Sequence, residues 1–325
     1  MRLAFLGTPQ FAVPSLQALH RAGHTVAVVV TQPDRPAGRG LSLRPSPVKQ
    51  YAQELGLPVE QPEKLGPEQV ERLLGYGLDV AVTAAFGQKI PPGLLHGPRF
   101  GCVNVHPSLL PRYRGAAPIQ RALMDGCTST GVTIMQMNEG WDSGDILLQK
   151  EVQVGPRETA GQLHDRLAEL GAELLVQVLE LLEQGRLQRR PQDEALVTWA
   201  PRLRPEDQRI HWWRSAQDLA NQIRALNPWP GSYTLRSGRR LLLWETGDPA
   251  AQPFCGAGAP DPSAVPGQVV ALTAGAIGVA CGAGQDGGAC REILWVTRLQ
   301  PEGRRQMSAA EFVRGHRPQL GERWE

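Results

Sequence analysis

Short apolar runs alternate with amphipathic stretches through the first half of the chain. Leu3 to Leu6, Thr25 to Thr31, Asp79 to Ala84 and Cys102 to Val105 are apolar or β-branched and are bounded by Gly, Pro or polar clusters, the signature of buried strands. Between them, Pro14 to Ala22 and Pro67 to Leu74 read as helices. Strands alternating with helices predict parallel pairing through right-handed crossovers, so this part reads as an α/β domain with a mostly parallel sheet. Val132 to Met137 and Asp145 to Val154 follow one another with only a turn between, which predicts a hairpin-like extension of that sheet.

Thr159 to Gln184 carries the longest helical pattern, with Leu163, Leu167, Leu170, Leu174, Val178 and Leu181 on its apolar side. Thr159 is the expected N-cap and Gln162 its capping-box partner. A stretch rich in Arg, Gln and Pro follows and reads as a linker. Ser215 and Asp218 open a short helix to Leu226 that Asn227-Pro228-Trp229-Pro230-Gly231 ends. Beyond it Tyr233 to Leu235, Leu241 to Trp244, Val269 to Leu272 and Ile293 to Val296 alternate with turns, predicting a small β-barrel. Proline, glycine and alanine between Gly247 and Gly267 mark a long loop.

At 325 residues the chain is long enough for two cores. No apolar run reaches the roughly 18 to 20 residues of a membrane span, and Met1-Arg2-Leu3 leads straight into a strand pattern rather than a signal peptide. Five cysteines without CxxC spacing fit reduced thiols in a cytoplasm and argue against a zinc site. Net charge is only +2, but residues 186 to 240 hold 11 Arg against 5 Asp or Glu. Such an excess reads either as a solvated surface or as a face for a polyanion.

The candidate chemistry lies in Asn104-Val105-His106 and in Gly140-Trp141-Asp142-Ser143-Gly144-Asp145. Residues two apart on a strand share a face, so Asn104 would aim an amide, and His106 an imidazole, at one space. Asp142 adds a carboxylate from a second turn-like segment. Together they could hold a carbonyl oxygen, move a proton and orient the group that moves it. Taken singly each has a plainer reading: a structural histidine before Pro107, a strand-end asparagine, a turn-forming aspartate. Gly7-Thr8-Pro9 follows the first strand where a dinucleotide fold would carry its glycine turn, but GxGxxG is absent, which speaks against NAD.

The run NVHPSLLPRYRGAAPIQ from Asn104, the spacing from His106 to Asp142, and TQPDRPAGRG from Thr31 resemble the methionyl-tRNA formyltransferase family, and the resemblance spans the chain. It implies a Rossmann-like formyltransferase domain over 1–185, a basic linker over 186–205 and a C-terminal, OB-like tRNA-binding barrel over 206–325. It implies formyl transfer from 10-formyltetrahydrofolate to the α-amino group of charged initiator tRNA, with Asn104, His106 and Asp142 catalytic. Ser108, Leu109, Leu110 and Pro111 match the family's folate-contacting segment, and Phe86, Gly87 and Gln88 are expected to form another wall of that pocket. Arg35 and Arg39 sit on the loop that would reach the tRNA acceptor end. That loop continues Leu41-Ser42-Leu43 where some members carry lysines, implying a weaker contribution to RNA affinity. The expected protein is a cytoplasmic monomer without metal, membrane or DNA partner. Formyl transfer to a small-molecule amine and a non-catalytic tRNA-binding protein are the alternatives.

Overall fold

The computed structural model describes residues 1–37, 42–247, 263–282, 284 and 289–325. Two compact units divide the chain: Met1–Pro118 with Ser129–Gln153 and His164–Pro201, and Ile119–Thr128 with Val154–Leu163 and Arg202–Glu325.

The first unit contains β1 (Arg2–Gly7), β2 (Thr25–Val30), β3 (Arg35–Ala37), β4 (Ser42–Arg44), β5 (Val59–Glu60), β6 (Val80–Ala84), β7 (Cys102–His106), β8 (Arg114–Gly115), β9 (Ser129–Gln136), β10 (Ile146–Gln153) and β11 (Trp199–Ala200). Seven of them form one sheet in the order β10-β9-β7-β6-β1-β2-β5. From β7 to β5 every pairing is parallel, while β9 and β10 extend the sheet antiparallel. This is the predicted α/β arrangement with its hairpin extension. The central strands are mostly apolar because both faces are covered; every residue of β6 is buried.

Helix Ala160–Glu183 runs against one face. Its Gly171 permits close approach to the sheet, since a Cβ there would fall 2.6 Å from the Val105 side chain. Thr159 and Gln162 form the expected reciprocal cap, at 3.0 and 3.3 Å.

The chain leaves β1 toward β2 and β5, then returns to β6 and β7 on the other side. The carboxyl ends of β1 and β6 therefore flank the topological switch point, where an open α/β sheet forms its ligand crevice.

In the second unit β12 (Ser232–Arg236), β13 (Arg239–Thr246), β14 (Val269–Leu272), β15 (Ile277–Cys281), β16 (Glu292–Pro301) and β17 (Met307–Ser308) form an antiparallel sheet in the order β12-β13-β16-β15-β14, with β17 on β16. The last residues tie its two edges together. Leu235 of β12 exchanges backbone hydrogen bonds with Glu325 at 2.7 and 2.8 Å, and the Val269 amide of β14 donates to Glu322 at 2.7 Å. The last residues thus bridge the two edge strands, in the manner of the expected barrel. Trp324, fully buried, joins Phe312, Trp212 and Leu243 in the core beneath.

Among the elements that escape the sequence pattern are strand β15 and the helices Pro47–Glu54, Pro92–His96, Pro118–Met124 and Ala309–His316. The expected Gly247 to Gly267 loop lies largely outside the described residues. Among the described residues no helix is long and apolar enough to cross a membrane.

Candidate active site

The parallel strand β7 delivers Asn104 and His106 to the carboxyl end of the sheet, beside Thr83 of β6 and Thr133 of β9. The Thr83 hydroxyl lies 2.7 Å from Asn104 Oδ1 and donates to it. With its oxygen held this way, the Asn104 amide presents its NH2 group outward, as a donor to whatever occupies the space above the strand end.

His106 is buried, 4% exposed. Its Nε2 lies 3.0 Å from the Tyr113 carbonyl oxygen, which only accepts, so Nε2 carries a proton. Nδ1 is then the nitrogen free to gain or lose one. It faces Asp142 Oδ2 at 3.8 Å. The same carboxylate oxygen accepts the Gly115 amide at 2.9 Å. Asn104 and His106 thus share the end of β7, and Asp142 is brought opposite His106, each of the three held by one atom.

Backbone strain gathers around this corner. Ala85, Tyr113 and Asp142 have φ of 47°, 61° and 47°, three of the five non-glycine residues with positive φ among the described residues. Such conformations cost about 1–3 kcal/mol each and persist where surrounding contacts impose them. Gly144, two residues after Asp142, is obligatory, because a Cβ there would collide with the Gln136 carbonyl.

Ser108 to Pro111 form the loop leaving β7. The Ser108 hydroxyl donates to the Arg112 carbonyl at 2.6 Å, and Thr133 Oγ1 both donates to the Ser108 carbonyl at 2.7 Å and accepts the Leu110 amide at 3.1 Å. Leu110 is buried against Met135 and Ile146, whereas Leu109 and Pro111 are half-buried. The loop is thus rigidly built, and its Leu110 side chain points into the core rather than lining a pocket.

Phe86, Gly87 and Gln88 leave β6 at the switch point. Phe86 is buried and its carbonyl accepts from Thr8 at 3.0 Å and from the Gln32 amide at 3.3 Å. The Gln88 amide accepts from the Leu65 backbone at 3.1 Å, so its side chain serves the neighbouring loop. Gly87 adopts φ 85°.

Arg35 is exposed on β3, which pairs with β4. Below it, Asp34 is bonded to Lys49 and to Gln61, each at 2.7 Å, and these hydrogen bonds hold its carboxyl below the usual range. Arg39 lies outside the described residues.

The stretch expected to be a linker is bonded to the first unit as far as Pro201. Arg190 pairs with Ile146 by backbone hydrogen bonds of 2.8 and 3.0 Å, and β11 pairs with β8. The Gln192 amide nitrogen donates to the carbonyls of Asp142 at 2.8 Å and Gly144 at 2.7 Å. Thr83, Tyr113, Arg114, Gly115 and Gln192 are the supporting residues that sequence reasoning missed. Only Tyr113, Arg114 and Gly115 lie in a segment marked for its chemistry; Thr83 falls in the Asp79 to Ala84 strand and Gln192 in the expected linker.

Among the described cysteines, Cys102 and Cys281 are poorly suited to act as nucleophiles. Burial pushes the Cys102 thiol, beneath the site, well above its ordinary value, and that of Cys281 up to about 12.

A parallel sheet with polar side chains converging at its switch point, followed by an antiparallel unit, defines a class. A formyl transferase family model matches residues 1–179, and the model of the formyl transferase C-terminal domain matches residues 202–317. The fold is shared with an N-formyltransferase from Helicobacter canadensis, solved with folinic acid and dTDP-3-aminofucose, at a TM-score of 0.63 and 16% identity over 92% of this chain and 98% of that one. The particular family follows from closer relatives. Methionyl-tRNA formyltransferase of Moorella thermoacetica is 50% identical over 97% of this chain and 96% of its own length, and that of Heliobacterium modesticaldum 45% identical over 98% of each. The chain belongs to the methionyl-tRNA formyltransferase family.

Proposed function

We propose that the protein transfers the formyl group of 10-formyltetrahydrofolate to the α-amino group of methionine on charged initiator tRNA, giving the N-formylated form used to start translation. What carries the reading is the corner formed by Asn104, His106 and Asp142 in a chain whose relatives of nearly equal length bear that name. The folate donor, when bound, supplies an activated formyl carbon. The switch-point loop of Phe86, Gly87 and Gln88 and the loop of Ser108, Leu109, Leu110 and Pro111 would hold it. Because Leu110 and the Gln88 side chain are committed elsewhere, recognition falls to backbone groups and to Leu109.

In this reading Asn104 donates its amide hydrogen to the oxyanion that develops when the amine adds to the formyl carbon, a contribution of about 100- to 1,000-fold in rate. His106 acts through Nδ1, since Nε2 is tied to the Tyr113 carbonyl. It stabilises the same oxygen when charged and passes a proton toward the leaving nitrogen. Asp142, steadied by the Gly115 amide, orients that imidazole and accepts the proton lost by the amine through a water molecule. The substrate amine attacks directly, so no side-chain nucleophile is required. Arg35 and Arg39 would meet the tRNA acceptor end, and the arginines of 186–240 its phosphates. A cytoplasmic monomer is the expected form.

Formyl transfer from 10-formyltetrahydrofolate should be compared on charged initiator tRNA, charged elongator methionyl-tRNA and small amine acceptors. Strong preference for the initiator supports the reading. Transfer to a small acceptor alone, or tRNA binding without transfer, overturns it in favour of the corresponding alternative.

A further inference from the structure

The segment 190–200 bridges two pieces of the candidate active site that are distant in sequence. Arg190 pairs with Ile146 at the start of β10, and Ala200 accepts the Ala117 amide just after β8 at 3.1 Å. Between them the Gln192 side chain spends its whole hydrogen-bonding capacity. Its nitrogen donates to the carbonyls of Asp142 and Gly144, at 2.8 and 2.7 Å. Its oxygen accepts from Arg114 Nε and Nη2, at 3.0 and 2.8 Å.

Arg114 is itself buried, with 3% of its side chain exposed, and forks onto both carboxylate oxygens of Glu194 at 2.8 and 3.1 Å. Its chain neighbours are the groups that hold the catalytic side chains. The Tyr113 carbonyl accepts a hydrogen bond from His106 Nε2, and the Gly115 amide donates to Asp142 Oδ2. One amide therefore connects the backbone that carries Asp142 to the backbone that fixes both His106 and the Asp142 carboxylate.

We propose that Gln192 is a positioning residue for Asp142. It touches no reacting atom. Asp142 sits at φ 47°, a conformation that a non-glycine residue keeps only where its surroundings impose it. The two donations from Gln192 bracket that residue on the carbonyls at and after it. Without them the turn relaxes and the carboxylate leaves its place opposite His106 Nδ1. A misplacement of about 1 Å at a reacting constellation costs up to about 100-fold in rate. The inference rests on the formyl-transfer reading for its kinetic consequence, and on geometry alone for its structural one.

The test uses the full chain as wild type, Gln192→Met, Asp142→Asn and the double variant. Gln192→Met keeps the shape of the side chain and removes both donors and the acceptor. It is expected to lower kcat about 10- to 100-fold while KM for the formyl donor and for charged tRNA stays within about twofold. On the Asp142→Asn background the same change should cost nothing further, because a residue that acts through Asp142 has nothing left to position. Equal fractional losses in both backgrounds, or unchanged kcat in a folded Gln192→Met protein, overturn the inference. Amide hydrogen exchange over 138–146 gives a readout independent of turnover. Faster exchange there in Gln192→Met is expected, and unchanged exchange overturns the proposal. Should Gln192→Met not fold, Gln192→Asn, which retains the amide but withdraws it by one methylene, is read by the same measures. A wild-type protein without formyl transfer would instead overturn the proposed activity and leave the exchange arm to decide the positioning role.

Discussion

The corner at the ends of β6 and β7 and the arginine-rich second unit use their polar groups in opposite ways. At the corner each proposed catalytic side chain is held by one atom: Asn104 by its oxygen to Thr83, His106 by Nε2 to Tyr113, Asp142 by one oxygen to Gly115. His106 Nδ1 is left facing the same Asp142 oxygen that Gly115 holds, at 3.8 Å. In the second unit several arginines are wholly structural. Arg236 forks onto Glu322, donates to the His316 carbonyl and lies 5.1 Å over the Phe312 ring. Arg224 donates to the Gly155 carbonyl and to Asn221. Others, including Arg202, Arg209, Arg239 and Arg240, are exposed. A count of positive charge along the chain therefore overstates the surface left for a polyanion, whereas a count of candidate site residues understates what holds the corner in place.

The comparison breaks most sharply under substitution at the corner. His106→Ala or Asn104→Ala should lower turnover about 100-fold or more with tRNA binding largely retained, on the scale of losing an oxyanion donor. Single-turnover formylation beside a gel-shift titration separates the two effects, and near-wild-type turnover in either variant would remove that residue from the mechanism. A smaller loss is expected from Thr83→Val, which keeps volume but frees the Asn104 oxygen to swing. One net hydrogen bond of about 1 to 1.5 kcal/mol corresponds to roughly tenfold in kcat. An unchanged kcat would mean that strand geometry alone orients Asn104.

Why the corner was partly legible and its supports were not follows from sequence distance. Asn104 and His106 are two apart on one strand, and period-2 alternation suffices to set them on one face. The central strands were legible for a similar reason, being continuous apolar runs. Thr83 is 21 residues from Asn104 and Gln192 is 50 from Asp142, so nothing local marks either. An Arg-, Gln- and Pro-rich stretch reads as a linker because its partners are backbone carbonyls elsewhere in the chain. Other misses had signals that went unused. Ser308 and Glu311 form a capping box at the start of the last helix, with the Glu311 amide 3.2 Å from Ser308 Oγ. Helix Pro47–Glu54 opens on Ser46, which caps the Lys49 amide at 3.1 Å, followed by proline at the first position. β15 is likewise a five-residue apolar run between glycine-rich turns, the same signature that marks the central strands of the first unit.

The smallest effect belongs to the second unit and should appear in stability, not turnover. Burial alone would raise the Glu322 carboxyl, but hydrogen bonds from Arg236, the Gln319 amide and Trp324 together bring it below its usual value. A carboxyl depressed in the folded state contributes stability above its unfolded pKa, about 4.3, and loses it as pH falls through the lower folded value. Glu322 lies in the segment that ties β14 to β12, so its protonation loosens the tie between these edge strands. The wild-type melting temperature should fall more steeply than that of Glu322→Gln as pH drops from about 5 toward 3, while at pH 7 the variant melts a few degrees lower, corresponding to about 1 kcal/mol. Parallel pH profiles would show that the Arg236 pair is screened by solvent and contributes nothing. A loss of kcat at pH 7 out of proportion to the change in melting would break the division drawn between the two regions, since it would make the tie between the edges of the antiparallel sheet part of the reacting machinery.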